Sequence, residues 1–498
     1  MKHCQILALL SLLGVLLAPA SAQAPSAHAQ APKAGEVKLE PYVFEAANKQ
    51  KVDAELGHLF VPENRRNPNS RLIELAFVRF RSTASNPSPP VVYLAGGPGG
   101  SGVAAARGSR FPLFMAMREI GDVIAIDQRG TGISRPNLNC QERLDYPVEK
   151  APDREEILDL FRKQSRDCAR HWRDQGVDLA GYNTNESADD LDSLRKALGA
   201  EKISLWAISY GTHLALTTIR RHEKNIHRAI LAGIEGPAHT IKLPGAVQRH
   251  LINLDKLVKA DPDLSKEIPD FLGLMKTVLD RVEREPVTVE VNHPATQQKV
   301  KVTVNKFMLQ YLTANLFGGG EGLLPRNYYV LSKGDFSGAA QMWLRSIGSR
   351  PEIGSAMSFM MDCFSGISPE RRRQIAREAR ETLLGEIMDF PFPDVCDAWG
   401  NPDLGEDFRK PVKSTIPALF ISGTLDVRTP VSNAEEVRQG FGVSSHLIIE
   451  GAMHSDPLFL SSPKIKEVML EFMKGESLST TRIVLPALKF MQVSAQKG

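Results

Sequence analysis

A mostly parallel β-sheet flanked by helices, with a mainly helical cap inserted, is the α/β fold class this sequence predicts, on three observations. Between residues 91 and 236, apolar runs of strand length alternate with segments of helical periodicity. From 237 to 413 the rhythm gives way to helical stretches with one hairpin, "VTVEVNHPATQQKVKVTV". From 414 to 475 the alternation returns in "PALFISGTLD" and "SHLIIEGAMH". A chain of 498 residues is long enough for such a core and an inserted cap.

The elements follow in order. Lys2 and His3 precede a short apolar run from Ile6 to Leu17, and Ala20-Ser21-Ala22 supplies a small-x-small cleavage site. Residues 1–22 therefore read as a signal peptide, because the apolar run falls short of the ~20 residues a spanning helix needs. No later run is long and apolar enough to give a stable membrane span. Residues 23–36, rich in Ala, Pro and Gln, read as a flexible leader. Order is expected from "KLEPYVFEA" onward, in a first core part spanning 37–236. "ELGHLFVPE" and "RLIELAFVRFRS" read as antiparallel strands joined through "NPNS". "VVYL", "DVIAID", "KISLWAIS" and "HRAILAGIEGP" read as further strands, and "ESADDLDSLRKALGA" and "YGTHLALTTIRRH" as helices. The tail, 476–498, contains an apolar patch, "RIVLPALKF", that periodicity does not assign.

The chain is 42% hydrophobic and 24% charged with a net charge of +3, so it reads as globular and offers no concentrated basic face for nucleic acid. Beyond Cys4 it holds four cysteines, Cys140, Cys168, Cys363 and Cys396, an even number suited to two disulfides in an exported chain. Three pairings are open. Closeness along the chain favours Cys140 with Cys168 and Cys363 with Cys396. Zinc-ligand spacing is absent, so no metal is expected.

Two segments carry the chemistry. In "ISLWAISYGTHLAL" a buried strand passes through Ala207-Ile208-Ser209-Tyr210-Gly211 straight into a helix, the setting of a nucleophile elbow. Small residues flank Ser209 so that neighbouring backbones can pass, with Ala207 where glycine is usual. A serine hydroxyl needs a base, and the base an orienting carboxylate. Asp426 and His454 each follow a late strand, in the acid-then-histidine order of an α/β-hydrolase fold. All three would leave the same edge of a parallel sheet.

The glycines of "VVYLAGGPGGSG" fit G-x-G-x-x-G from Gly97 to Gly102, the dinucleotide-binding pattern. Against that reading, Pro98 removes an amide, Asp127 lies beyond the ~20-residue ribose spacing, and no helix clearly opens on the glycines. No cofactor is expected. Acyl transfer instead needs amides aimed at an oxyanion, which assigns Gly97, with Gly96 beside it, and Tyr210 as donors.

With these segments placed, the chain resembles the prolyl aminopeptidase and tripeptidyl aminopeptidase family of serine α/β-hydrolases. The matching pieces are "LAGGPGGSG", "IAIDQRGTGISRP", "ADDLDSLRKALG", "AISYGTHLAL", "SGTLDVRTP" and "GAMH", in family order between Leu94 and His454. Cys363 and "FPDVCDAW" around Cys396 resemble the exported tripeptidyl aminopeptidase branch, which supports the second cysteine pairing. The resemblance implies Ser209 as nucleophile, His454 as base and acid, Asp426 as orienter, and peptide substrates with a free N-terminus. Acidic groups for the α-ammonium are sought in Glu235, Glu321 and Asp362. Ala232 stands where relatives often carry an acid.

The expectation is therefore an exported serine aminopeptidase, periplasmic or secreted, working through an acyl-enzyme. The alternative is a carboxylic-ester hydrolase with the same triad. A non-catalytic binding protein is a third reading, disfavoured by the presence of all three triad residue types.

Overall fold

Strands buried on both faces dictate the centre of this protein, which is why their sequences read as continuous apolar runs. The computed structural model describes residues 31–349 and 351–493. The expected signal peptide, residues 23–30 of the expected leader, and residues 494–498 of the tail lie outside the described residues.

Ten strands form one sheet: β1 (Val37–Glu45), β2 (Lys51–Pro62), β3 (Leu72–Phe80), β4 (Val91–Leu94), β5 (Val123–Ile126), β6 (Ile203–Ser209), β7 (Ile226–Ile234), β10 (Ala418–Gly423), β11 (Ser444–Glu450) and β12 (Arg482–Val484). The spatial order is β1-β2-β3-β5-β4-β6-β7-β10-β11-β12. From β5 through β12 neighbours run parallel, while β1, β2 and β3 form an antiparallel flank. The unassigned patch at "RIVLPALKF" begins with β12, a three-residue edge strand beside β11. Only Ile483 of that strand is even partly buried, so its pairing is set by the chain around it rather than by an apolar pattern.

Alternate residues of the central strands serve opposite layers. Val92, Leu94, Leu205 and Ala207 face one hydrophobic cluster, and Val91, Tyr93, Trp206 and Ile208 the other. In the second layer Tyr93, Phe114 and Trp206 meet with ring centroids 4.7–5.0 Å apart, a packed aromatic floor beneath the ends of β4 and β6.

Five helices cover the first part of the sheet: α1 (Gly102–Arg107), α2 (Phe111–Met117), α3 (Arg154–Asp174), α4 (Thr184–Ala197) and α5 (Tyr210–His222). Helix α4 starts two residues before the predicted segment, because Asn183 caps it by accepting the Glu186 N–H. Within it, Asp190 takes both Nε and Nη2 of fully buried Arg129, each at 2.7 Å.

Between β7 and β10 the chain leaves the sheet for helices and the antiparallel hairpin β8 (Val287–Asn292) and β9 (Lys299–Val304). Two parts of this insertion reach the carboxyl edge of the sheet. The helix Ala356–Ser365 sends Ser358 Oγ to the Pro98 carbonyl at 2.8 Å, and the Gly318 turn lies over His454. The two disulfides join Cys140 to Cys168 and Cys363 to Cys396. Among the described residues no helix is long and apolar enough to cross a membrane.

Candidate active site

Strands β4, β5, β6, β7, β10 and β11 run in one direction, so their carboxyl ends open on one rim. Ser209 ends β6 at φ 55° and ψ −130°, a conformation that costs a non-glycine residue about 1–3 kcal/mol. Close backbone approach holds it there. A Cβ on Gly211 would lie 2.2 Å from the Leu94 carbonyl oxygen, and one on Gly96 would lie 2.8 Å from Ser209 Cβ. Gly211 is thus the strict glycine of the elbow. Ala207, on the other flank, is fully buried between its strand partners Leu94 and Leu231 and fits with its methyl group. Thr212 Oγ1 donates to the Ser209 carbonyl at 2.7 Å and accepts the Glu235 N–H at 2.8 Å, tying the turn to the end of β7.

The loop after β11 brings His454 to this turn. Its Nε2 lies 3.1 Å from Ser209 Oγ, and its Nδ1 lies 2.8 Å from Asp426 Oδ2. Asp426, buried in the turn after β10, also accepts Thr429 Oγ1–H at 2.6 Å and the Thr429 N–H at 2.9 Å. The Asp426 carboxylate is therefore oriented before it meets the imidazole. Gly233, at φ 58°, passes beneath, and a Cβ there would come within 2.9 Å of Thr429 Oγ1 and 3.2 Å of His454 Cε1. Sequence reasoning missed Thr429 and Gly233. The "DVRTP" spacing, which puts a hydroxyl three residues after the acid, is the signal for the first.

The glycine loop after β4 reaches the same place. Gly97 has φ 125° and Gly99 φ 99°, backbone that favours glycine, and Gly97 shares a cavity of about 550 Å³ with Ser209, His454, Arg110 and Arg428. Here one expectation is corrected. A helix does open on these glycines: α1 begins at Gly102, with Ser101 Oγ accepting the Ala104 N–H. A six-residue helix carries too little periodicity to be read, and its cap lies inside the glycine run. Asp127, weighed above only as a ribose ligand, accepts Ser101 Oγ–H at 2.6 Å and the Val103 N–H at 3.0 Å with one oxygen, and the Ile133 N–H at 2.8 Å with the other. Burial pushes its carboxyl above the usual range against those bonds. Gln128 Nε2 adds a bond to the Ala95 carbonyl at 3.1 Å. The "DQRGTG" turn is thus the brace of the glycine loop.

The three acids expected at a substrate ammonium separate. Glu321 turns both oxygens to its own loop, accepting the Gly318 N–H at 2.7 Å and the Gly319 N–H at 2.8 Å. That corrects its expected role, since a fully buried carboxylate already holding two amides is committed to the loop. Glu235 and Asp362 fall in one charged cluster with Lys242 and Asp389, neither of which sequence reasoning singled out. Lys242 Nζ is 3.3 Å from Glu235 and 3.8 Å from Asp389. Burial, then the charge of Glu235, holds the Asp362 carboxyl well above the usual carboxylate range. Ala232, noted above where relatives often carry an acid, is placed away from the chain's own acids. It lies inside β7, paired with Ile208 and Ile421 in an apolar layer, and the acid at this strand's end is Glu235. Cys140, Glu142 and Cys168 stand close enough for a metal, but the two sulfurs are bonded to each other and offer no thiolate.

The sequence is similar to known hydrolases over most of its length. An α/β-hydrolase fold family model matches residues 89–267, and a TAP-like protein model matches residues 390–479. The serine protease Hip1 of Mycobacterium tuberculosis is 30% identical over 456 residues, covering 84% of this chain and 85% of that protein. The tripeptidyl aminopeptidase of Streptomyces coelicolor is 28% identical over 193 residues, 36% of this chain and 35% of its own. A putative hydrolase of Escherichia coli, YuaR, is 27% identical over 78% of both chains. With both family models in order and a relative at 30% identity along most of its length, this chain belongs to the tripeptidyl aminopeptidase-like family of serine α/β-hydrolases.

Proposed function

We propose that the protein is an exported serine peptidase, an aminopeptidase that releases short units from the free N-terminus of peptides. The observation that carries the reading is the hydrogen-bonded row Asp426–His454–Ser209, at 2.8 and 3.1 Å, on a strained turn at the head of a helix. Relatives named serine protease and tripeptidyl aminopeptidase support the peptide bond as its target.

In this mechanism His454 Nε2 takes the Ser209 Oγ proton as the oxygen bonds to the scissile carbonyl carbon. The amides of Gly97 and Tyr210 receive the oxyanion, and Asp426 holds the imidazole in the tautomer that points Nε2 at serine. Collapse breaks the C–N bond, with His454 returning the proton to the departing amine. Water then repeats the sequence on the acyl-enzyme. Glu235 and Asp362 remain the acids for the substrate ammonium, in a cluster of three carboxylates around one lysine. Two disulfides support an oxidising destination, periplasmic or secreted.

A panel of peptide amides with free and blocked N-termini, run beside short-chain esters, tests the reading. Faster cleavage of the free-amine peptides is expected. Preference for blocked peptides or simple esters overturns it in favour of the carboxylic-ester hydrolase.

A further inference from the structure

Two residues past Asp426, in the same turn, the site carries a second cation, Arg428. Arg428 is half-buried on the wall of the Ser209–His454 cavity, and among the described residues its guanidinium makes no hydrogen bond or ion pair. The other arginine of that wall, Arg110, is saturated. Its Nε donates to Asp456 Oδ1 at 2.8 Å, its Nη2 to Ser455 Oγ at 3.1 Å, and its Nη1 to Tyr93 Oη. That leaves the wall's acid, Asp456, occupied and Arg428 as its uncommitted charge. Behind Arg428 a small cavity of about 30 Å³ is shared with His239, Lys242, Arg249 and Arg371, and no acidic residue lines it.

Position says which part of a substrate meets this charge. In acyl transfer the histidine hands its proton to the leaving nitrogen, so the departing fragment lies on the His454 side of Ser209, away from the Gly97 and Tyr210 amides. Arg428 borders that side. A Cβ built on Gly318 would lie 3.9 Å from both Arg428 Nε and His454 Cβ, and one on Gly319 would meet nothing within 4 Å. Gly318, whose amide Glu321 holds in place, therefore adjoins both His454 and Arg428 and puts no side chain of its own there. A half-buried guanidinium without a partner is costly, and its planar fork matches a carboxylate.

We infer that Arg428 binds a carboxylate on the departing fragment of the substrate, making this enzyme selective for peptides with negative charge just beyond the scissile bond. The inference rests on the peptidase reading above. A carboxylate there has two sources, the free C-terminus of a short peptide or an acidic side chain at the first departing residue.

The test uses free-amine peptides of four to six residues in two matched sets: C-terminal acid against amide, and Asp against Asn at the first departing position. The wild-type enzyme is expected to favour the charged member of at least one set by about tenfold in kcat/KM, chiefly through KM. Arg428→Gln brings that ratio close to one, and Arg428→Lys restores part of it. Each ratio is taken within one enzyme preparation, so the fraction of folded protein cancels. The set that loses its ratio identifies the source of the carboxylate. A wild-type ratio near one in both sets, or a ratio that survives Arg428→Gln, overturns the assignment and leaves the aminopeptidase reading intact. Failure to cleave any free-amine peptide overturns both.

Discussion

Ser101 Oγ donates to Asp127 Oδ1 over 2.6 Å, and that bond joins the glycine loop to the "DQRGTG" turn. The same oxygen takes the Val103 N–H, so one buried carboxylate fixes both the exit of the loop and the first turn of α1. Asp127→Asn puts an amide NH₂ against these donors. We expect kcat to fall by about tenfold or more with a smaller change in KM, since in the proposed mechanism the loop acts on the transition state. Steady-state kinetics on one peptide reads the split, and an unchanged kcat contradicts the bracing role.

Thr429 is the second support. Thr429→Val removes the 2.6 Å bond to Asp426 while keeping the shape, and is expected to lower kcat/KM by roughly fivefold, the equivalent of about 1 kcal/mol. Thr429→Ser keeps the hydroxyl and should retain most of the activity. Equal rates for the two variants would show that Asp426 needs no such partner.

Both supports mark the limit of what the sequence discloses. Ser209, Asp426 and His454 are legible because each ends or closely follows an apolar run, and a parallel sheet sends all such ends to one rim. The braces are not, because hydrogen bonds between loops leave no periodic trace. Glu321 misled for the same reason: an acid in the cap reads alike whether it faces a substrate or, as here, two amides of its own loop. Helix α1 and strand β12 escaped through shortness, having six and three residues. Helix α4 is readable but begins two residues before the segment that reads as helical, since Asn183 sets the cap.

His250 governs part of the acid stability. Its ring is buried edge-on against Phe317, its Nε2 has no partner among the described residues, and burial holds its pKa down at about 4, with Asp426 pulling the other way. The unfolded chain takes up this proton near pH 6.5. The contribution is therefore present above that pH and is lost as pH falls toward 4, by roughly 3 kcal/mol. Urea titrations across that range should show a shallower loss for His250→Leu than for the wild type; parallel curves would exclude the residue.

The disulfide between Cys363 and Cys396 closes a span of 33 residues in the helical insertion. Replacing both cysteines by serine is expected to cost about 3 kcal/mol in thermal or denaturant unfolding, and reductant, which also opens Cys140–Cys168, should shift the wild type by at least as much. No change under either treatment would mean that the span is held by its packing alone.

The central claim, that Ser209 is a nucleophile made ready by His454, is tested most directly by covalent labelling. Treated with a fluorophosphonate, the wild-type protein should carry one adduct per chain, and mass mapping should place it on Ser209. His454→Ala should label far more slowly, and Ser209→Ala not at all. An adduct on another residue, or hydrolysis that continues in the Ser209→Ala protein, would contradict the account.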